Sequence, residues 1–216
     1  MKKLFLIATL AAALFATEKA QAQLNLHVGY TPEFIKTYTP TSDTSLFFHG
    51  LSIGLDWAFV LNDHLSLSVG AQYRMNMKET SVHNLADTIF VHEVYNDRQN
   101  LIDIPILLKY NIPVSSTVTI SPFVGPILSW GVKGTTTKSI TYPDNKFIQY
   151  NWYESNGLAY RPNSRFNVYA KAGVEFSFKR FNFSIGGRYG FLDLNKRVTG
   201  TATKAYGFFA SFGHCF

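Results

Sequence analysis

The sequence predicts an all-β fold, an eight-stranded antiparallel transmembrane β-barrel with short periplasmic turns and four long extracellular loops. Three observations carry that expectation. About eight segments alternate apolar and polar residues with a period of two. The connections between them alternate short and long, as hairpins crossing an outer membrane do. The charges inside the alternating segments all fall on one parity. Composition agrees: the chain holds 19 Phe, 12 Tyr and 15 Gly, and only 16% of its residues are charged, few for a soluble globular chain.

The N-terminus carries an export pattern. Lys2 and Lys3 precede an apolar run over residues 4–16, and Ala20-Gln21-Ala22 is a small-residue cleavage site. Residues 1–22 are therefore expected to be a cleaved Sec-type signal peptide, and residues 23–216 the barrel domain. The apolar run is shorter than the roughly 20 residues that a helical span needs, and no longer one follows it. Lys2, Lys3 and Lys19 against Glu18 account for +2 of the net charge of +6. The remaining positive charge is dispersed, so no nucleic-acid partner is expected. Cys215 is the single cysteine, which excludes an intramolecular disulfide.

The strands follow in order. The first, residues 24–30, sets Leu24, Leu26, Val28 and Tyr30 against Asn25, His27 and Gly29. The second, about 47–60, sets Leu51, Ile53, Leu55, Trp57 and Phe59 against Ser52, Gly54, Asp56 and Ala58. The third puts Leu65, Leu67, Val69, Ala71 and Tyr73 opposite Ser66, Ser68, Gly70, Gln72 and Arg74. The fourth, 101–110, opposes Ile102, Ile104, Ile106, Leu108 and Tyr110 to Asp103, Pro105, Leu107 and Lys109. The fifth, 118–130, carries Val118, Ile120, Val124, Leu128 and Trp130 on one face, and its Pro122 and Pro126 predict irregular pairing.

The sixth, 166–178, sets an apolar series ending at Phe176 and Phe178 against Lys171, Gly173 and Glu175. The seventh, 181–191, turns Phe183, Ile185 and Tyr189 away from Ser184, Gly186 and Arg188. The last, 205–216, aligns Tyr206, Phe208, Ala210, Phe212 and Phe216. That series ends in a terminal aromatic suited to presentation to the barrel-assembly machinery. Short connections lie near 62–63, 111–117 and 179–180, and long ones span about 31–46, 76–100, 131–164 and 193–204. In the third long loop, residues 138–142 and 147–153 flank Pro143-Asp144-Asn145 and are expected to form a hairpin.

Asp56, Arg74, Asp103, Lys109, Lys171, Glu175 and Arg188 all share the polar parity. A charge on the opposite, lipid-facing parity would cost roughly 2–4 kcal/mol at the midplane. The apolar face therefore meets outer-membrane lipid, and Tyr30, Trp57, Phe59, Tyr73, Tyr110, Trp130 and Tyr189 are candidates for the interfacial girdles. With eight strands, side chains can fill the interior. Opposite charges are expected at similar depths: Arg74 and Asp103 in the outer halves of neighbouring strands, Asp56 and Lys109 toward the periplasmic end, and Glu175 diagonally near Arg188 with Lys171 close. These charges either satisfy one another in a filled lumen or line a proton or solute path.

The run Leu101-Ile102-Asp103-Ile104-Pro105-Ile106-Leu107-Leu108-Lys109-Tyr110 resembles a strand of the PorT-like outer-membrane β-barrel proteins found in Bacteroidetes. Ser121-Pro122-Phe123-Val124-Gly125-Pro126, Gly173-Val174-Glu175-Phe176 and Arg188-Tyr189-Gly190 are similar to later strands of that family. The resemblance implies an outer-membrane barrel, and for some members a part in secretion across that membrane. The chain departs from the family where Gly190 follows Tyr189 directly.

Catalytic patterns are absent. Outward-facing His49 and His214 lack a Ser or carboxylate partner for a nucleophile–base arrangement. His92-Glu93-Val94-Tyr95-Asn96 lacks the second His of a zinc motif, and His27 has no neighbour at metal spacing. No enzyme, cofactor or metal is expected. The loops supply the remaining candidates: Tyr142, Phe147, Tyr150, Trp152, Tyr153 and Tyr160 lie among Asn, Ser and Lys. They suit protein or glycan contacts, or else pack the hairpin against itself. The sequence thus points to a non-enzymatic outer-membrane barrel with a structural or surface-interaction role. An accessory component of a secretion or transport complex is the second reading, and a lipid-modifying enzyme the third.

Overall fold

The computed structural model describes residues 22–86, 89–141, 146–153, 164–194 and 201–216. The expected signal peptide lies almost wholly outside them. The described chain forms eleven strands: β1 (Ala22–Tyr30), β2 (Glu33–Tyr38), β3 (Asp43–Val60), β4 (Leu65–Ala86), β5 (Ile89–Tyr110), β6 (Ile112–Pro113), β7 (Val118–Thr141), β8 (Lys146–Asn151), β9 (Phe166–Phe178), β10 (Phe181–Gly190) and β11 (Ala202–Cys215). No helix among the described residues is long and apolar enough to cross a membrane.

All pairings are antiparallel, and they close into a ring of eight staves. β1 pairs with both β11 and β3, and β2 pairs with the same two neighbours further up. β1 and β2 are one stave. Tyr30 faces Leu51 and Glu33 faces Phe48, so the register is unchanged across Thr31-Pro32. Pro32 only removes a ladder donor; Thr31 N–H still donates to Gly50 O at 2.8 Å, and Phe208 N–H to Pro32 O at 3.3 Å. Closure removes the open edges that hydrocarbon would not tolerate.

The three short turns have local causes. Asn62 Oδ1 accepts from His64 N–H and Leu65 N–H at 2.9 and 2.8 Å, an Asx-type turn. Ser115 Oγ accepts from Thr117 N–H and Val118 N–H in the next turn. Phe178 pairs with Phe181, leaving a two-residue loop in which Lys179 takes φ 54°. A tight hairpin requires that left-handed conformation to match strand twist.

Among the described residues, the first three long connections are largely strand themselves. A stave needs about 9–11 residues to cross, whereas β4 and β5 run 22 residues each and β7 runs 24. The first long connection shortens to a turn at residues 39–42 between β2 and β3. The third contains the expected hairpin: β7 pairs with β8 from Thr135–Asn151 to Ile140–Lys146, while Pro143-Asp144-Asn145 at its tip lies outside the described residues. A register shift between Asn100 and Leu101 inserts one extra residue in β7 and bends the β5–β7 pair there.

The parity expectation holds along the staves. Ile53, Trp57, Tyr73, Ile104, Val124, Trp130, Phe183, Tyr189 and Phe212 are exposed on the outside, whereas Ser52, Gln72, Arg74, Asp103, Lys109, Ser129 and Arg188 are buried within. The irregular β5–β7 pairing also appears: Pro105 faces Ile127 and Leu108 faces Val124, with the ladder interrupted between them. A Cβ at Gly125 would lie 2.0 Å from Ile106 O, so only glycine lets the two backbones meet. Gly125→Val is expected to abolish the heat-modifiable folded band on a detergent gel. Gly187→Val is expected to keep it, because a Cβ at Gly187 meets nothing nearer than 3.7 Å.

Candidate functional site

The interior is layered. Nearest the short turns, Lys109 Nζ donates to both carboxylate oxygens of Glu175 at 2.9 Å, and His27 Nδ1 lies 3.1 Å from Asp56 Oδ2. Ser184 and Ser211 share a hydrogen bond of 2.6 Å, and Asn111 and Ser121 join the same end. A cavity of about 20 Å³ lies among these groups, roughly the space of one water.

Above this layer sits an apolar one. Leu107, Phe123 and Phe209 pack together inside the barrel. Cβ atoms at Gly173 and Gly186 would both press on Phe209 at 2.9 and 2.6 Å, so these glycines make room for the ring. Lys171 extends over it: its ammonium stands 4.2 Å from the Phe209 ring centre and 5.7 Å from that of Phe123. The ammonium is held by ring faces rather than by a carboxylate.

The third layer is a four-charge cluster. Arg74, wholly buried, donates from Nε to Asp103 Oδ2 at 2.8 Å and from Nη1 to Glu33 Oε2 at 2.8 Å. Arg74 Nη2 reaches Asp103 Oδ1 at 3.3 Å and Ser129 Oγ at 3.4 Å, while Ser129 Oγ–H donates to Asp103 Oδ1 at 2.5 Å. Tyr169 O–H donates to Glu33 Oε1 at 2.9 Å, and Asn76 donates to Glu33 Oε2. Arg188 completes the group, 3.6 Å from Glu33 Oε1 and 3.9 Å from Asp103 Oδ2, and donates to Thr31 O at 3.2 Å. Both guanidiniums lie beside the Tyr169 ring. Two cations and two anions balance, and six staves supply the partners.

A cap closes the long-hairpin end. Phe48, wholly buried, meets Trp152 edge-on at 5.7 Å, and Ile35, Ile127, Tyr153, Tyr169, Leu194 and Ala205 pack into the same cluster. Trp152 Nε1–H donates to Thr136 Oγ1 at 2.7 Å, and Gln99 donates to Tyr153 O–H at 3.0 Å. The backbone after β8 thus turns inward, and its two aromatics cover the charges. Higher up, Lys138 lies 2.8 Å from Glu93. Hydrogen bonds from Lys138 and from Tyr95 hold the Glu93 carboxyl below the usual carboxylate range.

Measured against the sequence expectations, Arg74 and Asp103 pair as anticipated. Asp56 and Lys109 both lie at the short-turn end, as expected, with other partners. Asp56 meets His27 and Lys109 meets Glu175, so those two do not pair with each other. Arg188 joins Glu33 and Asp103 instead of Glu175, and Lys171 has no ion pair among the described residues. The aromatic set also divides. Phe147 is 78% exposed and Tyr150 half-buried. Trp152 and Tyr153 are 4% and 9% exposed, because they fill the barrel mouth. Tyr142 and Tyr160 lie outside the described residues. Glu33 lies within the long connection expected over about 31–46 and is not among the charges the sequence assigns to the lumen.

His49 Nδ1 hydrogen-bonds the Tyr30 hydroxyl at 2.7 Å and meets the Phe47 ring edge-on; His214 lies between the rings of Phe181 and Phe216. Neither contacts a serine or carboxylate. No group of three or more His, Cys, Asp or Glu among the described residues is arranged to hold a metal ion.

A family model described as "Outer membrane protein beta-barrel domain" matches residues 4–216. Among solved structures, the chain is similar to Ail, the attachment invasion locus protein of Yersinia pestis, in complex with the heparin analogue sucrose octasulfate. The identity is 7% and the TM-score 0.41, with 90% of this chain and 99% of that chain covered. It is similar also to Neisserial surface protein A, at 14% identity and TM-score 0.41, covering 88% and 97% of the two chains. The outer membrane enzyme PagL is matched at 11% identity and TM-score 0.33, covering 84% and 97%. No curated protein matches the chain in sequence. Likeness at this level assigns no residue a role.

Removing one partner of a buried charge group leaves the rest uncompensated. Arg74→Met is therefore expected to destabilise the barrel by about 3–5 kcal/mol, read by urea unfolding from phospholipid vesicles. Lys171→Met, which leaves Asp56 its contact with His27, is expected to cost less than Arg74→Met in the same measurement.

Proposed function

Because the chain belongs to the outer membrane protein β-barrel domain family, we propose that it is a non-enzymatic integral outer-membrane protein with a structural and surface-interaction role. Its filled barrel is a rigid stem, and its function sits on the hairpins beyond the outer leaflet. Export by cleavage of residues 1–22 and delivery to the barrel-assembly machinery through Phe216 belong to the same reading. So does PorT-like membership within the family, which rests on Ile104-Pro105-Ile106-Leu107-Leu108-Lys109-Tyr110.

The observation that carries this reading is the sheet β4–β5–β7–β8, which continues far past the length needed to cross. Strand residues beyond the bilayer do no spanning work. They hold Phe147, Ile148 and Tyr150 away from the barrel on β8, which pairs only with β7 among the described residues. Below them the charge cluster, the apolar layer and the Trp152–Tyr153 cap obstruct the lumen. That arrangement supports a stem better than a conduit.

A photo-crosslinking residue at Ile148, activated on intact cells, is expected to give discrete adducts that the neighbouring change Phe147→Ser removes. The same probe at Val114, in a turn on the opposite end, is expected to give none. Adducts formed only from Val114 would instead support an accessory part in a periplasm-spanning complex. Reconstituted in planar bilayers, the protein is expected to show no large, steady conductance.

A further inference from the structure

The lipid-facing wall of a barrel is ordinarily a continuous band of large apolar side chains. Here it is interrupted by a groove of about 600 Å³ on β9, β10 and β11. Its floor is small: Ala170, Ala172 and Gly187 follow one another on adjacent staves, with Ala172 directly opposite Gly187 and Ala170 opposite Tyr189. Its walls are Tyr189, Tyr206 and Phe208, the last 61% exposed as a ridge. The groove climbs towards the long-hairpin rim, where Lys36 and Tyr38 close its upper end.

That rim carries an uncommon pairing. Lys36 on β2 and Lys204 on β11 are direct cross-strand partners. Like charges placed opposite each other destabilise a sheet. Lys36 Nζ is 3.1 Å from Asp43 Oδ2 and stands over the Tyr38 ring at 4.6 Å, and Lys204 Nζ donates to Phe191 O. Asp43 faces Lys36 and Asp193 Oδ1 accepts from Thr203 N–H beside Lys204, and the two ammoniums stand just above an apolar trough. A neighbouring groove of about 480 Å³, bounded by Val28, Leu51, Phe183 and Phe212, has no charged residue in its lining. The two grooves thus differ in the feature that selects a headgroup.

We propose that the β9–β10–β11 groove seats one phosphate-bearing lipid of the outer leaflet, an acyl chain lying along Ala170, Ala172 and Gly187 and the phosphate meeting Lys36 and Lys204. The chain replaces bulk lipid in a trough that fixes its direction. The phosphate relieves the repulsion between the lysines through charge-assisted hydrogen bonds. The site is independent of the Phe147 hairpin and goes beyond the surface-contact reading. Bound lipid would orient the barrel in the leaflet beneath its extended hairpins.

The test is native mass spectrometry of the detergent-purified full chain, offered equal amounts of phosphatidic acid and phosphatidylcholine. The wild type is expected to retain one phosphatidic acid in clear preference to phosphatidylcholine. Lys36→Gln and Lys204→Gln are each expected to lower that preference roughly fivefold, the effect of one surface lysine on an anionic lipid. Gly187→Phe, which fills the trough and leaves both lysines, is expected to reduce retention of both lipids. Ala170→Phe provides a second block should Gly187→Phe fail to give the heat-modifiable band. Equal retention of the two lipids by the wild type would overturn the proposal. So would a preference that survives loss of both lysines, or unchanged retention with the trough filled.

Discussion

Everything in this barrel depends on how charge is kept inside a closed ring of strands. A guanidinium withdrawn from water is tolerated only where anions and acceptors replace its hydration. Arg74 meets that condition with Asp103 on one side and Glu33 on the other. Each of those carboxylates is met in turn by Arg188 and by a hydroxyl, from Tyr169 or Ser129. The partners come from staves on different sides of the ring. The cluster therefore ties across the lumen what the ladder hydrogen bonds tie only between neighbours, and it fixes which way each stave faces.

The other layers follow from that one. A charge group of this size needs cover from solvent at both ends. Leu107, Phe123 and Phe209 supply it below, and Phe48, Trp152 and Tyr153 above. The cover above uses the segment that a surface-contact role would otherwise have claimed. The third hairpin thus serves two ends: its base is drawn into the mouth by Trp152, while its edge strand β8 keeps Phe147 outside. A stem closed in this way can hold long hairpins rigidly without conducting.

Period-two alternation and the rule that charges avoid lipid made most of the fold legible in the sequence. Both act residue by residue along a strand, so Asp56, Arg74, Asp103, Lys109, Lys171, Glu175 and Arg188 could be assigned a face without knowing the pairing. The partners could not be assigned, because they depend on register across several staves. Asp56 meets His27 on its direct neighbour, but Lys109 meets Glu175 from β9, one stave beyond its partner β7. Glu33 was lost to a single signal: Pro32 reads as a strand end, yet Asn25, His27, Gly29, Thr31 and Glu33 continue one parity straight through it. The inward Leu107, Phe123 and Phe209 interrupt the polar parity at one depth and mark the apolar layer. That interruption was the available sign that Lys171 would meet rings rather than a carboxylate.

The central claim is that Glu33 and Arg74 are energetically coupled across the lumen, and a double-mutant cycle in phospholipid vesicles measures it directly. Glu33→Gln, Arg74→Met and the combined variant would be compared with the wild type by reversible urea unfolding. The account predicts a coupling of at least about 1.5 kcal/mol, in the range of close buried charge pairs. Losses that add to within about 0.5 kcal/mol, as independent sites do, would contradict it.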